Sequence, residues 1–391
     1  MRLSRYIPVA PAAAYSIIAL SMLGLAGYAY EFLRLRRVPE LPSKPITPPA
    51  QLASVSVIVP ARNEAATIMT CLQGLEQQFV PNLELVLVDD QSQDQTAELA
   101  GSFPAQHINI RIIHGAALPQ GWLGKSWACW QGASQAHAEW LLFLDADVQL
   151  VPAMLGPILA YAHQEQLDML SLLPRIVTAS LLEQLVLPAF FYLLMGIYPF
   201  ERVHDPRQPA FALGQCVLIR RCVYEQVGGH AAVRNVIIED VALAGHVRQA
   251  GYRIAMRSAP ALLSVRMYTS WTALIEGMTK HASVGMGDTG LRAFMIALRQ
   301  AFLAWLPVDM LVLAALSRRP AERGWLALAA SCLFAAQIRV WSWAMRRHFG
   351  LGWREALLMP AGTLLYFLLA SYAMLRLRLG LTMRWKGRAV E

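Results

Sequence analysis

Apolar and polar positions in this chain are patterned on two length scales. Towards both ends, long apolar runs are seldom interrupted by charge; between them, short Val-, Leu- and Phe-rich runs are each stopped by polar residues. The short runs read as buried parallel strands, over residues 55–60, 83–88, 108–113 and 140–144. Helical spacing separates them, over 65–77, 96–100 and 126–138, with a further helix expected over 241–249. Strands alternating with helices predict a doubly wound α/β sheet. Two of the strands end in acids: Asp89-Asp90 follows Leu85-Val86-Leu87-Val88, and Asp145-Ala146-Asp147 follows Leu142-Phe143-Leu144. Open α/β sheets bind ligands at the carboxyl ends of their strands. An Asp-x-Asp there suits a divalent cation facing a diphosphate.

The long runs predict membrane segments. Residues 7–33 carry one acid, Glu31, and are long enough to cross a bilayer. Arg2 and Arg5 precede this run, but it is too long for the apolar core of a signal peptide, so a retained anchor is expected. Arg34, Arg36 and Arg37 follow it and place the next segment in the cytoplasm by the positive-inside bias. Pro39, Pro42, Pro45, Pro48 and Pro49 then mark an extended linker that would lift a domain off the membrane.

Near the other end, residues 325–345 and 355–375 are spanning candidates. Arg299, Pro307 and Asp309 interrupt 294–316, which is expected to be interfacial or re-entrant; the tail with Arg376, Arg378, Arg384, Lys386 and Arg388 then returns inside. Residues 181–200, aromatic and broken by Glu183 and Pro188, read equally as a headgroup-layer helix guiding an apolar acceptor or as a buried helix. The expected organisation is an anchor over 1–37, a linker over 38–52, a catalytic domain over 53–285, and membrane helices with a basic tail over 286–391.

Composition supports a membrane protein: 56% of residues are hydrophobic and 15% charged, too apolar for an ordinary soluble enzyme. The net charge of +8 gathers beside apolar segments, where anionic lipid accounts for it, and nucleic acid is not an expected partner. The five cysteines form no Cys-x-x-Cys and read as reduced thiols. With no Cys/His set near Asp145 and Asp147, oxygen ligands favour Mg2+ or Mn2+ over zinc. No Gly-x-Gly-x-x-Gly follows the first strand, and Gly121–Ser126 fails as a phosphate loop because Pro119 stands where glycine is required. Lys125, flanked by a glycine and a helix start, can still reach a diphosphate.

Five stretches occur in order: Val-Ile-Val-Pro-Ala-Arg-Asn-Glu (57–64), Val-Asp-Asp-Gln-Ser-Gln-Asp-Gln-Thr (88–96), Gly-Lys (124–125), Asp-Ala-Asp (145–147) and Glu-Asp (239–240). Together they resemble the family 2 glycosyltransferases, inverting enzymes of the GT-A type. The resemblance implies a GT-A doubly wound mixed sheet with one N-terminal transmembrane helix and a C-terminal helical membrane region. It assigns the nucleotide to Pro60, Glu64, Asp89 and Asp90, a metal-bridged diphosphate to Asp145 and Asp147, and the catalytic base to Asp240, with Glu239 as its neighbour. It favours a UDP-sugar as donor.

Finer motifs, including 119–128, Leu187-Pro-Ala-Phe-Phe, Gly214-Gln-Cys, Arg266-Met-Tyr and Gly277-Met-Thr-Lys, resemble the carotenoid and hopanoid-associated branch. Gly214, Gln215, Arg266 and Tyr268 are accordingly candidates for contact with acceptor or diphosphate, although Arg266 and Tyr268 would equally serve to pin the domain to the membrane. No Gln-x-x-Arg-Trp follows Asp240, which departs from the polymerising synthases and favours transfer of a single sugar. The expected reaction moves one sugar from a nucleotide-sugar to a hydroxyl of an apolar isoprenoid lipid, carotenoid first and hopanoid second, at the cytoplasmic face of the inner or plasma membrane, with the chain multi-pass. Alternatives are a non-catalytic membrane scaffold with a decayed transferase domain, and transfer to polyprenyl phosphate, sphingolipid or polysaccharide.

Overall fold

The computed structural model describes residues 11–42, 53–268, 270–284, 290–379, 381, 383–385 and 388–390. Arg2, Arg5, the linker prolines Pro45, Pro48 and Pro49, and Lys386 lie outside the described residues. In chain order the first elements are α1 (Pro11–Leu35), β1 (Val55–Ala61), α2 (Ile68–Glu76), β2 (Glu84–Asp89), α3 (Thr96–Gly101), β3 (Asn109–His114), α4 (Gly124–Ser134) and β4 (Trp140–Leu144). There follow β5 (Val148–Leu150), α5 (Leu155–Gln164), β6 (Met169–Leu173), β7 (Arg175–Ile176), α6 (Leu181–Ile197), β8 (Cys216–Arg220), α7 (Arg221–Gln226), α8 (Gly229–Ala232) and α9 (Glu239–Gln249). The remainder comprises β9 (Ile254–Ser258), β10 (Leu263–Val265), α10 (Trp271–Val284), α11 (Gly290–Leu316), α12 (Pro320–Phe349), α13 (Trp353–Arg378) and the short pair β11 (Met383–Trp385) and β12 (Arg388–Val390).

Seven strands form the main sheet in the order β3-β2-β1-β4-β8-β6-β9. All neighbours are parallel except β8, which runs antiparallel to both β4 and β6. The mixed α/β sheet expected from the alternation is therefore present. The central strands are apolar on both faces because helices cover both sides: every residue of β4 and of β6 is buried. The edge strand β3 alternates between exposed and half-buried positions instead.

Register places the chemistry. Ala61 pairs with Asp89 and Ile58 with Phe143, so β1, β2 and β4 finish side by side. The chain leaves β1 towards β2 on one side and is flanked by β4 on the other, which is the crevice where such sheets bind ligands. Antiparallel β8 begins at Cys216 opposite Leu144, bringing Gly214 and Gln215 beside the end of β4; the Asp145 N–H donates to the Gln215 carbonyl at 3.1 Å.

Among the described residues five helices are long and apolar enough to cross a membrane: Ala13–Leu35, Leu181–Arg202, Leu291–Leu316, Pro320–Phe349 and Trp353–Arg376. They make this a membrane-associated chain. The second is mostly buried inside the protein, with Phe190, Phe191 and Tyr192 all enclosed, so of the two readings of 181–200 the structure favours the buried helix. Of the two expectations for residues 294–316, the re-entrant one does not fit. These residues form one continuous helix through Pro307 that runs antiparallel along α1, with Arg299 beside Glu31, Leu303 beside Tyr28 and Leu306 beside Gly24. Arg299 is tolerated because the Glu31 carboxylate lies 2.5 Å from its guanidinium. The described start of the expected linker is fastened rather than free: the Ser258 N–H donates to the Pro39 carbonyl, and the Leu41 N–H to the Ser258 carbonyl.

Candidate active site

The loops after β1 and β2 are stitched into one wall. Asn63, in the left-handed region at φ 54°, presents its N–H to Ser92 Oγ and accepts from the Gln93 N–H through Oδ1. Asparagine is one of the few side chains that tolerate that conformation. The Glu64 N–H donates to Thr96 Oγ1, Thr67 Oγ1 donates to Glu64 Oε2, and Arg62 donates to the Asp90 carbonyl at 2.6 Å. Asp94 accepts from the Ala65 and Thr96 N–H groups, which ties the loop after β1 to the start of α3. Glu64 and Asp90 are thereby held on one face of the crevice.

Asp89 goes elsewhere. Successive side chains of a strand point to opposite faces, and Asp89 is absent from the residues lining the crevice. It accepts from the Ser92 N–H at 3.2 Å and lies 3.9 Å from His114 Nδ1, so it supports the loop that carries Asp90. The expected nucleotide contact by Asp89 does not fit this placement.

Beyond β4 the chain turns at once, the Val148 N–H donating to the Asp145 carbonyl at 3.1 Å. This turn lets Asp145 and Asp147, on either side of buried Ala146, border the same space. Lys125, in the first turn of α4, places Nζ 2.6 Å from Asp145 Oδ1 and 3.3 Å from Glu239 Oε1. Partial burial opposes its charge, but the carboxylates of Asp145 and Glu239 outweigh that and raise its pKa well above the usual lysine value.

Asp240 and Glu239 sit in the first turn of α9, where acids favour the helix dipole. Asp240 accepts from the Gly214 N–H through Oδ2 at 2.6 Å and from the Val241 N–H through Oδ1 at 2.8 Å. Burial, reinforced by the charge of Glu239, lifts its pKa to about 7. Glu239 is buried too, which opposes ionisation, yet Lys125 and Lys280 hold its pKa below the ordinary range. Glu239 thus serves as the counter-ion of Lys125.

One cavity of about 1030 Å³ joins these groups: Pro60, Glu64, Asp90, Lys125, Asp145, Asp147, Gly214, Gln215, Glu239, Asp240, Arg266 and Tyr268 all line it. Gln215 is 8% exposed, and its Oε1 is buried without a hydrogen-bond partner among the described residues. Arg266 lies 3.7 Å from Glu183, and the ring of Tyr268 is buried over Gly277, whose missing side chain makes room for it.

Lys280 of α10 was missed by sequence reasoning. It lines the cavity, burial lowers its pKa, and it feels the charges of Glu239, Lys125, Asp240 and Asp145. Its signal was available in the Gly277-Met-Thr-Lys stretch. His230, by contrast, is buried against Tyr224 and Phe143, and burial pushes its pKa down to about 4, as befits a packing histidine.

Among the described residues no group of three or more His, Cys, Asp or Glu gathers closely enough to hold a metal ion alone. Asp145 and Asp147 instead offer two hard oxygen donors at a cavity wall. That set suits magnesium-like ions, which take one or two carboxylates and complete their shell with substrate phosphates and water.

The family model described as Glycosyl transferase family 2 matches residues 56–228. A 4,4'-diaponeurosporenoate glycosyltransferase of Staphylococcus haemolyticus (strain JCSC1435) is 30% identical over 246 residues, covering 62% of this chain and 64% of the relative. Its counterpart in Staphylococcus aureus (strain USA300) is 31% identical over 241 residues, covering 60% and 62%. The chain therefore spans less than two thirds of the length of these relatives. Among solved structures, the mannosyltransferase PcManGT from Pyrobaculum calidifontis, in complex with GDP-Man and Mn2+, superposes with a TM-score of 0.50 at 19% identity, covering 92% of this chain and 97% of the other. That likeness shows a shared fold. Residues 56–228 are thus a family 2 glycosyltransferase domain of the GT-A fold.

Proposed function

We propose that this protein transfers one sugar, with inversion, from a nucleotide-sugar to a hydroxyl group of an apolar isoprenoid lipid at the cytoplasmic face of the membrane. A carotenoid is the first choice of acceptor and a hopanoid the second. The observation that carries the proposal is the continuity of the cavity: Asp90, Asp147 and Asp240 face the same space as Phe190, Phe294 and Phe367 of the apolar helices. A polar donor and an apolar acceptor can meet there. The names of the curated relatives, which glycosylate a carotenoid acid, favour the carotenoid class.

In this reading Glu64 and Asp90 accept hydrogen bonds from the nucleotide, a uridine diphosphate by the family resemblance. The N-terminus of α4 and Lys125 border the diphosphate, where a helix start and an ammonium both attract negative charge. A magnesium or manganese ion held by Asp145 and Asp147 would offset charge on the departing diphosphate. Lys125 bridges Asp145 and Glu239 until donor binding redistributes its contacts. Gln215 Oε1 accepts from a sugar hydroxyl. Asp240, aimed by two backbone N–H groups, takes the proton from the acceptor hydroxyl as that oxygen attacks the anomeric carbon.

The test uses purified full-length protein in lipid nanodiscs with a hydroxylated carotenoid, UDP-sugars and Mn2+. The expected result is a monoglycosylated lipid of inverted anomeric configuration and release of one nucleoside diphosphate per sugar. A polymeric product, or retention of configuration, would refute the reading.

A further inference from the structure

The apolar arm of the cavity is larger than a hydroxyl-bearing head group needs. It follows one face of α13, where Thr363, Tyr366, Phe367, Ala370, Met374 and Arg378 recur at helical spacing. From Thr363 to Arg378 the helix advances about 22 Å at 1.5 Å per residue. The facing wall of α11 sets the small side chains Ala293, Ala297 and Ala301 beside Phe294 and Gln300. Phe190 and Leu194 of α6 close its floor. The ring of Tyr366 lies 5.9 Å from that of Phe190, closing α13 onto α6. Phe294 and Phe367 line the cavity and yet are 49% and 47% exposed, so the trough is open along its side between α11 and α13. Large exposed apolar groups at such a mouth fit contact with lipid.

We infer that the trough between α6, α11 and α13 is the binding site for the acceptor's hydrocarbon, and that it selects a long, extended, rigid apolar chain which enters sideways between α11 and α13. The inference rests on the proposed lipid acceptor and specifies its shape. A chain stiffened by conjugation or rings loses little conformational freedom on entering an elongated slot, whereas a flexible alkyl chain must be straightened. Selection by length follows because each added segment lies against the α13 face rather than in solvent.

Two substitutions test it. Ala297 and Ala370 are half-buried and face the trough, so Ala297→Trp with Ala370→Trp fills it without entering the domain core. Leu298→Trp, at an exposed neighbouring position that does not line the cavity, is the control. Binding of a C20 polyene alcohol to full-length protein in nanodiscs, read by energy transfer from tryptophan in each variant's own titration, needs neither donor nor turnover. The double variant should bind it at least tenfold more weakly than wild type, with the control within twofold of wild type. In the transfer assay the double variant should lose at least tenfold in kcat/KM for the C20 alcohol relative to a C5 alcohol of the same head group. Equal binding by wild type and double variant, or a parallel loss for both alcohols, overturns the inference. Binding that the double variant abolishes, with no sugar transferred by the wild type, supports the trough and overturns the proposed reaction instead.

Discussion

The backbone N–H of Gly214 donates to Asp240 Oδ2 at 2.6 Å, tying the loop before β8 to the first turn of α9. A Cβ on Gly214 would lie 3.0 Å from that oxygen and 3.1 Å from Lys125 Nζ, so no side chain fits without moving one of the two. Gly214→Ala should therefore displace the carboxylate while leaving the sheet intact. A shift of about 1 Å in a reacting group costs on the order of 100-fold in rate. Here the neighbours need give by only a few tenths of an ångström, so the expected outcome is a kcat lowered by a smaller factor, on the order of tenfold, with little change in thermal midpoint, measured by product formation and by melting in detergent. Wild-type kcat in this variant would show that Asp240 needs no such alignment.

On the proposed mechanism, Asp240 sets the pH profile. Burial and the charge of Glu239 raise its pKa to about 7, so it is protonated below that pH and ionised above it. Only the ionised form accepts a proton, and kcat/KM should climb as pH rises through about 7 and then level off. Glu239→Gln removes a negative neighbour, which lowers the pKa of Asp240 and moves the rising limb to lower pH. Asp240→Asn should cost roughly 10²- to 10⁴-fold in kcat and abolish that limb. A limb that stays in place in both variants would assign it to another group.

Much of this site could be read in the chain because its parts are local. Asp90, Asp145 and Asp147 end strands whose apolar runs are unmistakable, and Lys125 opens a helix beside a glycine. The role of Asp89 could not be read, since which of two adjacent acids faces the crevice depends on strand phase and on the loop that Asp89 braces. Lys280 escaped for another reason: its helix reaches the site by packing against α13, a contact between elements far apart in the sequence. The same limit applies to α11. Arg299, Pro307 and Asp309 argued locally against a spanning segment, and the tertiary partner that Arg299 finds in Glu31 does not show in the local pattern.

The Glu31 carboxylate is fully buried and takes Arg34 at 2.8 Å on one oxygen and Arg299 at 2.5 Å on the other. Arg34 also donates to the Met195 carbonyl, which joins α1 to α6. Removing one member of such a cluster strands a buried charge, at a cost of about 3–5 kcal/mol. Glu31→Met should destabilise the protein by that amount in denaturant titrations of the detergent-solubilised chain. Glu31→Met with Arg299→Met should recover part of the loss, since one of the two stranded cations is then gone. An equal loss in single and double variants would mean that the two side chains do not interact.

Gly362 separates packing from intrinsic helix preference. A Cβ there would overlap the carbonyl oxygen of Leu185 and press on Ala189, both in α6, so α13 lies against α6 only because this residue has no side chain. Small residues at such crossings let helix backbones approach closely. A backbone carbonyl cannot rotate away as a side chain can, so Gly362→Ala must push α13 off α6 and loosen the wall of the apolar cavity. Overpacking of this kind costs about 1–3 kcal/mol. Gly324 in α12 is the control: nothing lies within 4 Å of its would-be Cβ, and alanine there should stabilise the helix by roughly 0.5–1 kcal/mol. Thermal unfolding of the two variants in the same detergent should therefore shift in opposite directions. Gly362→Ala should also raise KM for the apolar acceptor more than for the nucleotide-sugar, because α13 lines the apolar arm while Glu64 and Asp90 stand on the loops after β1 and β2. Equal shifts in both KM values would place Gly362 outside the acceptor wall.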